Sequence, residues 1–259
     1  MNVLVIGDIV GRPGRQAFAK LFPVLKEEYS VDFCIVNGEN SAAGSGFTPK
    51  VVSFLLESGA DVITSGDHVW KNQAVFKIID EEPRLLRPAN YPDSAPGKGY
   101  SIFELKNGLK IAVINLVGRV FMNAVECPFK TSGELVSKLS QQTPIIIIDM
   151  HAEATSEKIA LGWYLDGKVS CIFGTHTHIQ TADETILPNG TGFITDIGMT
   201  GPYKSVLGRE VEPVLKRFIT QIPARFDVAE NDLKVCGALF EIDEKTGKTL
   251  SVKRIQRKV

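Results

Sequence analysis

Phe33-Cys-Ile-Val-Asn-Gly-Glu-Asn40 is the stretch that decides the fold. Its four apolar residues are too few for a helix and too continuous for a strand with one wet face. Closed by Asn-Gly, they predict a strand buried on both sides. The pattern stands on either side as well. Val3-Leu-Val-Ile6 ends in Gly7-Asp8, and Asp61-Val-Ile-Thr64 ends in Ser65-Gly66-Asp67-His68. After the first run, Pro13 suits a helix's first turn, and Phe18, Leu21, Phe22 and Leu25 keep helical spacing up to Tyr29. Further helices are expected near 48–58 and 70–80. This β-α-β-α-β alternation predicts an α/β protein whose sheet begins parallel.

Farther along, Pro83, Pro88, Pro92 and Pro96, with Gly97 and Gly99, make 83–99 irregular. Residues 100–105 and 110–116 flank Asn107-Gly108 and predict a hairpin. A helix near 132–141 leads to Ile145-Ile-Ile-Ile148 and Asp149-Met-His151. A helix near 155–165 leads to an apolar run at 169–173 and then Gly174-Thr-His-Thr-His178. Short strands near 184–187 and 191–195, a helix near 208–220 and strands near 233–242 and 248–256 follow. No repeat or linker divides the chain. Residues 1–259 therefore read as one domain of two packed sheets with helices outside.

Of the 259 residues, 44% are hydrophobic and 23% charged, a globular balance rather than a disordered one. Lys plus Arg number 29 against 30 Asp plus Glu, so no global basic field exists to hold nucleic acid. Cys34, Cys127, Cys171 and Cys236 form no C-x-x-C. They argue for a reducing compartment, against a disulfide framework or a thiolate zinc site. With no basic leader and no apolar run near ~18 residues, a cytoplasmic protein without a membrane span is expected.

The chain has only four His, at 68, 151, 176 and 178, each closing an apolar run. In open α/β sheets, ligands bind beyond the carboxyl ends of the strands. Five such ends carry Asp8; Glu39 and Asn40; Asp67 and His68; Asp149 and His151; His176 and His178. These are expected to face one edge of one sheet. Any single Asp after a strand is more often a turn former or helix cap, and a lone His is more often structural. That every His falls at a strand end carries the inference of a metal centre. Imidazole with carboxylate suits Fe, Mn or Zn, and so rich a cluster suits two ions better than one. His176-x-His178, read as extended chain, would point both rings the same way. Gly7-Asp-Ile-Val-Gly11-Arg-Pro-Gly14 lacks G-x-G-x-x-G spacing, and Gly247-Lys-Thr249 lacks the first Gly of a phosphate loop. The basic end (Lys253, Arg254, Arg257, Lys258) reads as a solvated edge strand.

In this order, the strand-end motifs resemble the YmdB-type branch of the calcineurin-like metallophosphoesterases. The residues that carry the resemblance are Gly7-Asp8, Asn37-Gly-Glu39-Asn40, Gly66-Asp67-His68-Val-Trp70, His151 through Lys158 and Gly174-Thr-His176-Thr-His178. Arg87-Pro-Ala-Asn90, Gly118-Arg119-Val-Phe-Met122 and Thr195-Asp196-Ile-Gly-Met199 also fit. The resemblance implies a four-layer α/β/β/α sandwich of two packed mixed sheets. It implies a phosphodiesterase that attacks 2′,3′- or 3′,5′-cyclic nucleotides with a hydroxide bridging two divalent or mixed-valence ions, Fe or Mn first and Zn also admitted. By position, Asp8 and His178 would hold the first ion, and Asp67, His151 and His176 the second. Glu39 would bridge them, Asn40 would hold the phosphate, and His68 would protonate the leaving group. A cyclic nucleotide or other phosphodiester, an RNA end among them, is the expected substrate, and a homo-oligomer is expected.

Three features depart from the wider pattern. The usual D-x-H is Asp8-Ile-Val10, the usual bridging Asp is Glu39, and the usual G-N-H is Gly66-Asp67-His68. The first two suit this branch. Asp67 adds negative charge beside the phosphate and is expected to slow turnover. Glu153 and Asp149 are expected to orient His151, and Phe47, Tyr91 and Arg119 to reach the base. Two rival readings are a metal-dependent amide or ester hydrolase and a non-hydrolytic regulator that binds RNA or a signalling nucleotide.

Overall fold

In the computed structural model, which describes Met1–Val259 throughout, β1 (Asn2–Ile6) breaks at Gly7 and resumes as β2 (Asp8–Ile9). The next two apolar runs are β3 (Phe33–Asn37) and β4 (Val62–Thr64), and β1, β3 and β4 are parallel neighbours. The Asn-Gly hairpin joins β5 (Tyr100–Glu104) to β6 (Lys110–Val117), antiparallel. Parallel to β6 lie β7 (Ile146–His151) and β8 (Cys171–Thr175). The short strands are β9 (Thr185–Ile186), β10 (Gly192–Ile194) and β11 (Met199–Pro202). The long antiparallel pair is β12 (Leu233–Ile242) and β13 (Thr249–Lys258).

These strands make two mixed sheets. One runs β2-β11-β12-β1-β3-β4, with β13 on the free side of β12, and the other runs β5-β6-β7-β8-β10-β9. Side-chain alternation sets the layers. Leu4, Ile6, Cys34 and Val36 meet Phe18, Phe22 and Leu25 of α1 (Gly11–Glu28) and Val52 and Leu55 of α2 (Pro49–Glu57). Their neighbours Val3, Val5, Phe33 and Ile35 turn the other way. They meet Ile111, Val113, Ile147 and Phe173 of the second sheet. On that sheet's far face, Ile114, Ile148 and Ile172 meet Val136 and Leu139 of α3 (Pro128–Leu139) and Leu161 and Leu165 of α4 (Thr155–Leu165). The result is helix, sheet, sheet, helix. Both faces of the central strands are covered, which is why they read as unbroken apolar runs. Each fully buried Ile, Leu or Phe contributes roughly 1.5–3 kcal/mol.

Three expectations change. The helix near 70–80 is a single 3-10 turn, Gln73–Lys77, capped by the Asn72 side chain accepting from the Ala74 N–H at 3.0 Å. One turn is enough to bring Val75 and Ile79 into the core. Strands β2 and β11 are too short for any periodicity to show. The strand ends bearing the polar residues do not belong to one sheet: β1, β3 and β4 come from the first, β7 and β8 from the second. Their carboxyl ends converge where the two sheets meet, so the site straddles the sandwich. The basic end is the outer strand β13, with Arg254 paired to Glu184 at 3.2 Å and Lys258 to Asp232 at 3.1 Å. No helix is long and apolar enough to cross a membrane.

Candidate metal centre

Glu39, Asp67, His151 and His176 each turn a ligand atom inward, and these atoms lie within 4.8 Å of one another. Glu39 follows β3, Asp67 follows β4, His151 ends β7, and His176 follows β8. His151 Nε2 is 3.1 Å from Glu39 Oε1, 3.4 Å from Asp67 Oδ1 and 3.0 Å from His176 Nδ1. Gly66 makes the approach possible. A Cβ there would stand 2.1 Å from His151 Cδ2 and 2.4 Å from Glu39 Oε2.

The protons in this cluster are assigned by its outer partners. Thr175 Oγ1 has one hydrogen, which it donates to Asp149 Oδ1 at 2.7 Å. It must therefore accept from His151 Nδ1, 2.9 Å away. That leaves the lone pair of His151 Nε2 facing inward. His176 Nε2 lies 3.1 Å from Glu153 Oε2 and donates to it, so the Nδ1 lone pair of His176 also faces inward. Two lone pairs and two carboxylates thus converge, and Asp67 Oδ1 is buried with no hydrogen-bond donor at all. Positive charge is required among them, either as a proton on His151 or as a cation. The donor set, two imidazoles and two carboxylates, fits a divalent transition metal. Electrostatics say the same. Burial works against charge on His151, yet Glu39 and Asp67 hold its pKa well above the usual range. Burial also works to raise Glu39, but His151 and His68 hold it well below. Burial pushes His176 down to about 4.

A second group adjoins the first. His178 Nε2 is 3.8 Å from Asp8 Oδ1 and 3.0 Å from Asn40 Nδ2. Its Nδ1 donates to the Leu207 carbonyl at 3.1 Å, which fixes the Nε2 lone pair inward. Asn40 joins the two halves. Its amide nitrogen reaches Asp8 Oδ1 at 3.4 Å and Glu39 Oε1 at 3.3 Å, and its oxygen faces His68 Nδ1 at 3.1 Å. His68 is part-exposed, with Nε2 3.9 Å from Asp67 Oδ2. Burial pushes Asp8 up to about 7.

The His-x-His segment is not extended. β8 ends at Thr175, and His176 and His178 have φ of 96° and 66°. Left-handed backbone at bulky residues costs of order 1–3 kcal/mol each and persists only where the surroundings enforce it. Here Asp8 accepts from the His176 N–H at 3.1 Å. Asp196 Oδ2 accepts from the Thr177 N–H at 3.2 Å and the Thr177 hydroxyl at 2.8 Å. The fully buried Lys158 of α4 pins Asp196 at 2.7 Å and the Thr175 carbonyl at 2.7 Å. The turn splits the two rings, sending His176 to the first group and His178 to the second.

Sequence reasoning gave no role to Thr175, Lys158 or Asp196, although each lies in a motif that fits the resemblance, and did not reach the Leu207 carbonyl. Asp196 has a signal, since it closes the apolar run of β10 just as the other acids close theirs. Lys158 stands on the inward face of α4, where charge is out of place. Asp149 acts on His151 through Thr175 rather than directly, and it is held on its other side by the Asn37 amide at 2.9 Å. Glu153 partners His176, not His151. Of the residues expected near a base, Phe47 is wholly buried in the core. Tyr91 is half-buried with its ring edge on Trp70, and burial, with Asp67 and Glu39 nearby, pushes its hydroxyl up to about 12. Arg119 is exposed, its guanidinium on Cys127 Sγ at 3.2 Å.

Two packed mixed sheets between helices, with this cluster where the sheets meet, give the metallophosphoesterase fold. Within that class, residues 4–255 match the model of the YmdB-like protein family, and the chain belongs to it. It is 50% identical over 255 residues (98% of this chain, 96% of the relative) to the 2′,3′-cyclic-nucleotide 2′-phosphodiesterase of Bacillus subtilis (strain 168). Among solved structures, a hypothetical protein from Thermus thermophilus aligns with a TM-score of 0.93 at 36% identity, covering 100% of this chain and 99% of that one. A novel phosphatase from Mycoplasma pneumoniae aligns with a TM-score of 0.93 at 35% identity, covering 100% and 93%.

Proposed function

We propose that residues 1–259 form one catalytic unit, a dinuclear-metal phosphodiesterase that opens 2′,3′-cyclic nucleotides. The carrying observation is the convergence of the His151 and His176 lone pairs with Glu39 and the donorless Asp67 Oδ1. Asp67, His151 and His176 would hold one ion and Asp8 and His178 the other, with Glu39, which lies between the two groups, available to both. When bound, such ions neutralise phosphate charge and acidify a water. The substrate class is suggested by the activity of the Bacillus subtilis relative.

The chain's own residues do the rest. Asn40 presents its amide N–H groups to the centre of the site, where they orient a phosphate oxygen. His68 is braced at Nδ1 by Asn40, which leaves Nε2 at the mouth of the site to protonate the departing sugar oxygen. Thr175 and Glu153 fix the outer protons on His151 Nδ1 and His176 Nε2, so the inward nitrogens are the ones that would face a cation. Lys158 and Asp196 hold the strained turn. A phosphodiester anion enters a site whose carboxylates it would otherwise meet unscreened, and Asp67 worsens that repulsion relative to Asn. The test is product analysis on 2′,3′-cyclic AMP, 3′,5′-cyclic AMP and an RNA ending in a 2′,3′-cyclic phosphate, with and without a chelator. Metal-dependent opening of the 2′,3′ ring is expected. Tight binding of that nucleotide with no product would overturn the reading.

A further inference from the structure

Residues 118–127 join β6 to α3. The loop leaves β6 at Val117, which is paired with His151 of β7, and the Gly118 N–H donates to the His151 carbonyl at 2.9 Å. Gly118 packs directly on Ala152: a Cβ there would stand 2.6 Å from Ala152 Cβ and 2.5 Å from Glu157 Oε2. Ala152 lies between His151 and Glu153, and Glu153 accepts from His176 Nε2 at 3.1 Å. The loop thus rises from the lip of the metal centre.

Buried polar groups hold it there. Asn90, 1% exposed, closes its base: its amide donates to the carbonyls of Val117 at 2.7 Å and Glu126 at 3.0 Å, and its oxygen accepts from the Val117 N–H at 2.9 Å. The buried Glu157 carboxylate accepts from the N–H groups of Arg119 at 3.2 Å and Val120 at 3.4 Å. Taking a carboxylate out of water is costly. What this framework presents is Phe121. Its φ of 61° is a left-handed conformation that a bulky residue adopts only under constraint. Its ring is 88% exposed, the barest of the large hydrophobic side chains. Folding gains nothing from a ring held in water on a strained backbone, so the return comes from a ligand.

We infer that Phe121 is the platform on which the base of the nucleotide stacks, and so a specificity residue of the reaction proposed above, on which the inference rests. Every base offers a π-face, and an aromatic ring stacks on it without reading its edge. Three residues carry the chain from Gly118 to Phe121, a reach of at most ~10 Å. A nucleotide with its phosphate among the ligands and its base outward falls within that reach.

The test is calorimetric titration of the Mn²⁺-loaded full chain with adenosine 3′-monophosphate and with its base-free counterpart, methyl ribofuranoside 3-phosphate. Wild type is expected to bind the nucleotide more tightly. Phe121→Ala, a change at a bare position, should weaken nucleotide binding ~10–100-fold and leave the base-free compound unaffected. Phe121→Trp should bind the nucleotide at least as well as wild type. On 2′,3′-cyclic AMP, Phe121→Ala should raise KM by a similar factor with kcat held. Equal affinity of wild type for the two compounds overturns the inference. So does a Phe121→Ala that binds both as wild type does, or that loses both alike. A Phe121→Ala that alters only sedimentation makes the ring a contact between copies and overturns it too. Failure of the phosphodiesterase reading shows separately, as a wild type that binds the nucleotide and forms no product, and the titrations then still decide the stacking.

Discussion

Thr175→Val keeps the shape of the side chain and deletes one oxygen. That oxygen accepts from His151 Nδ1 at 2.9 Å and donates to Asp149 Oδ1 at 2.7 Å, and all three residues are fully buried. The change strands an imidazole N–H and a carboxylate oxygen. A buried polar group left unsatisfied costs about 1–3 kcal/mol. Asp149 keeps its bonds from Asn37 and Thr64, so its share falls at the low end. The metal-free protein should lose about 2–4 kcal/mol of stability. A second effect is independent of the first. Without Thr175, His151 is free to move its proton to Nε2, where Glu39 and Asp67 attract it and a metal must displace it. Losing such an outer partner typically costs 10–100-fold in metal affinity. Urea unfolding of the chelated protein reads the first effect, and calorimetric titration with Mn²⁺ reads the second. A merely structural Thr175 would lower stability and leave Mn²⁺ affinity unchanged. That result would refute the proton assignment, and with it the argument that the site demands a cation.

Asp196→Ala should cost about 3–5 kcal/mol in denaturant unfolding, because it leaves the buried Lys158 ammonium unpaired. Asp196→Asn should cost less, since an amide oxygen still accepts from Thr177. Glu39→Ala and His151→Ala should each lose bound metal by elemental analysis. His68→Ala should keep metal and lose ~10²–10⁴-fold in turnover on a poor leaving group. Full turnover in that variant would remove His68 as the acid. Asp67→Asn should raise turnover, on the order of 10-fold, with metal content held equal. An unchanged or lower rate would show that the Asp67 charge does not restrain the reaction.

Most of the site is legible in the sequence because strands buried on both faces end abruptly. Val3–Ile6, Phe33–Val36 and Ile145–Ile148 contain no polar residue. Polar residues begin just beyond, and Asp8, Glu39 and His151, each within three residues of a run's end, are the ones at the edge. The sequence does not say which sheet each strand joins, since periodicity is the same in both. Hence it predicts one edge where two converge. Nor does any residue type announce left-handed backbone at His176 and His178. Their φ values follow from Asp8 and Asp196, which come from elsewhere in the chain. The Leu207 carbonyl has no sequence signature, being backbone. Phe47 reads as a loop residue because Gly44-Ser-Gly46 beside it suggests open chain. Its ring instead fills the space that Gly38 leaves, where a Cβ would stand 3.0 Å from Phe47 Cε1.

The central claim is that the two groups of ligands form one two-ion centre that does the chemistry. The direct measurement is turnover of 2′,3′-cyclic AMP by the stripped protein as Mn²⁺ is added, with bound metal counted per chain on the same samples. Two ions per chain should bind, and activity should rise with occupancy of the second. Full activity in the stripped protein, or saturation at a single ion per chain with Asp8→Ala and His178→Ala both inert, would contradict it.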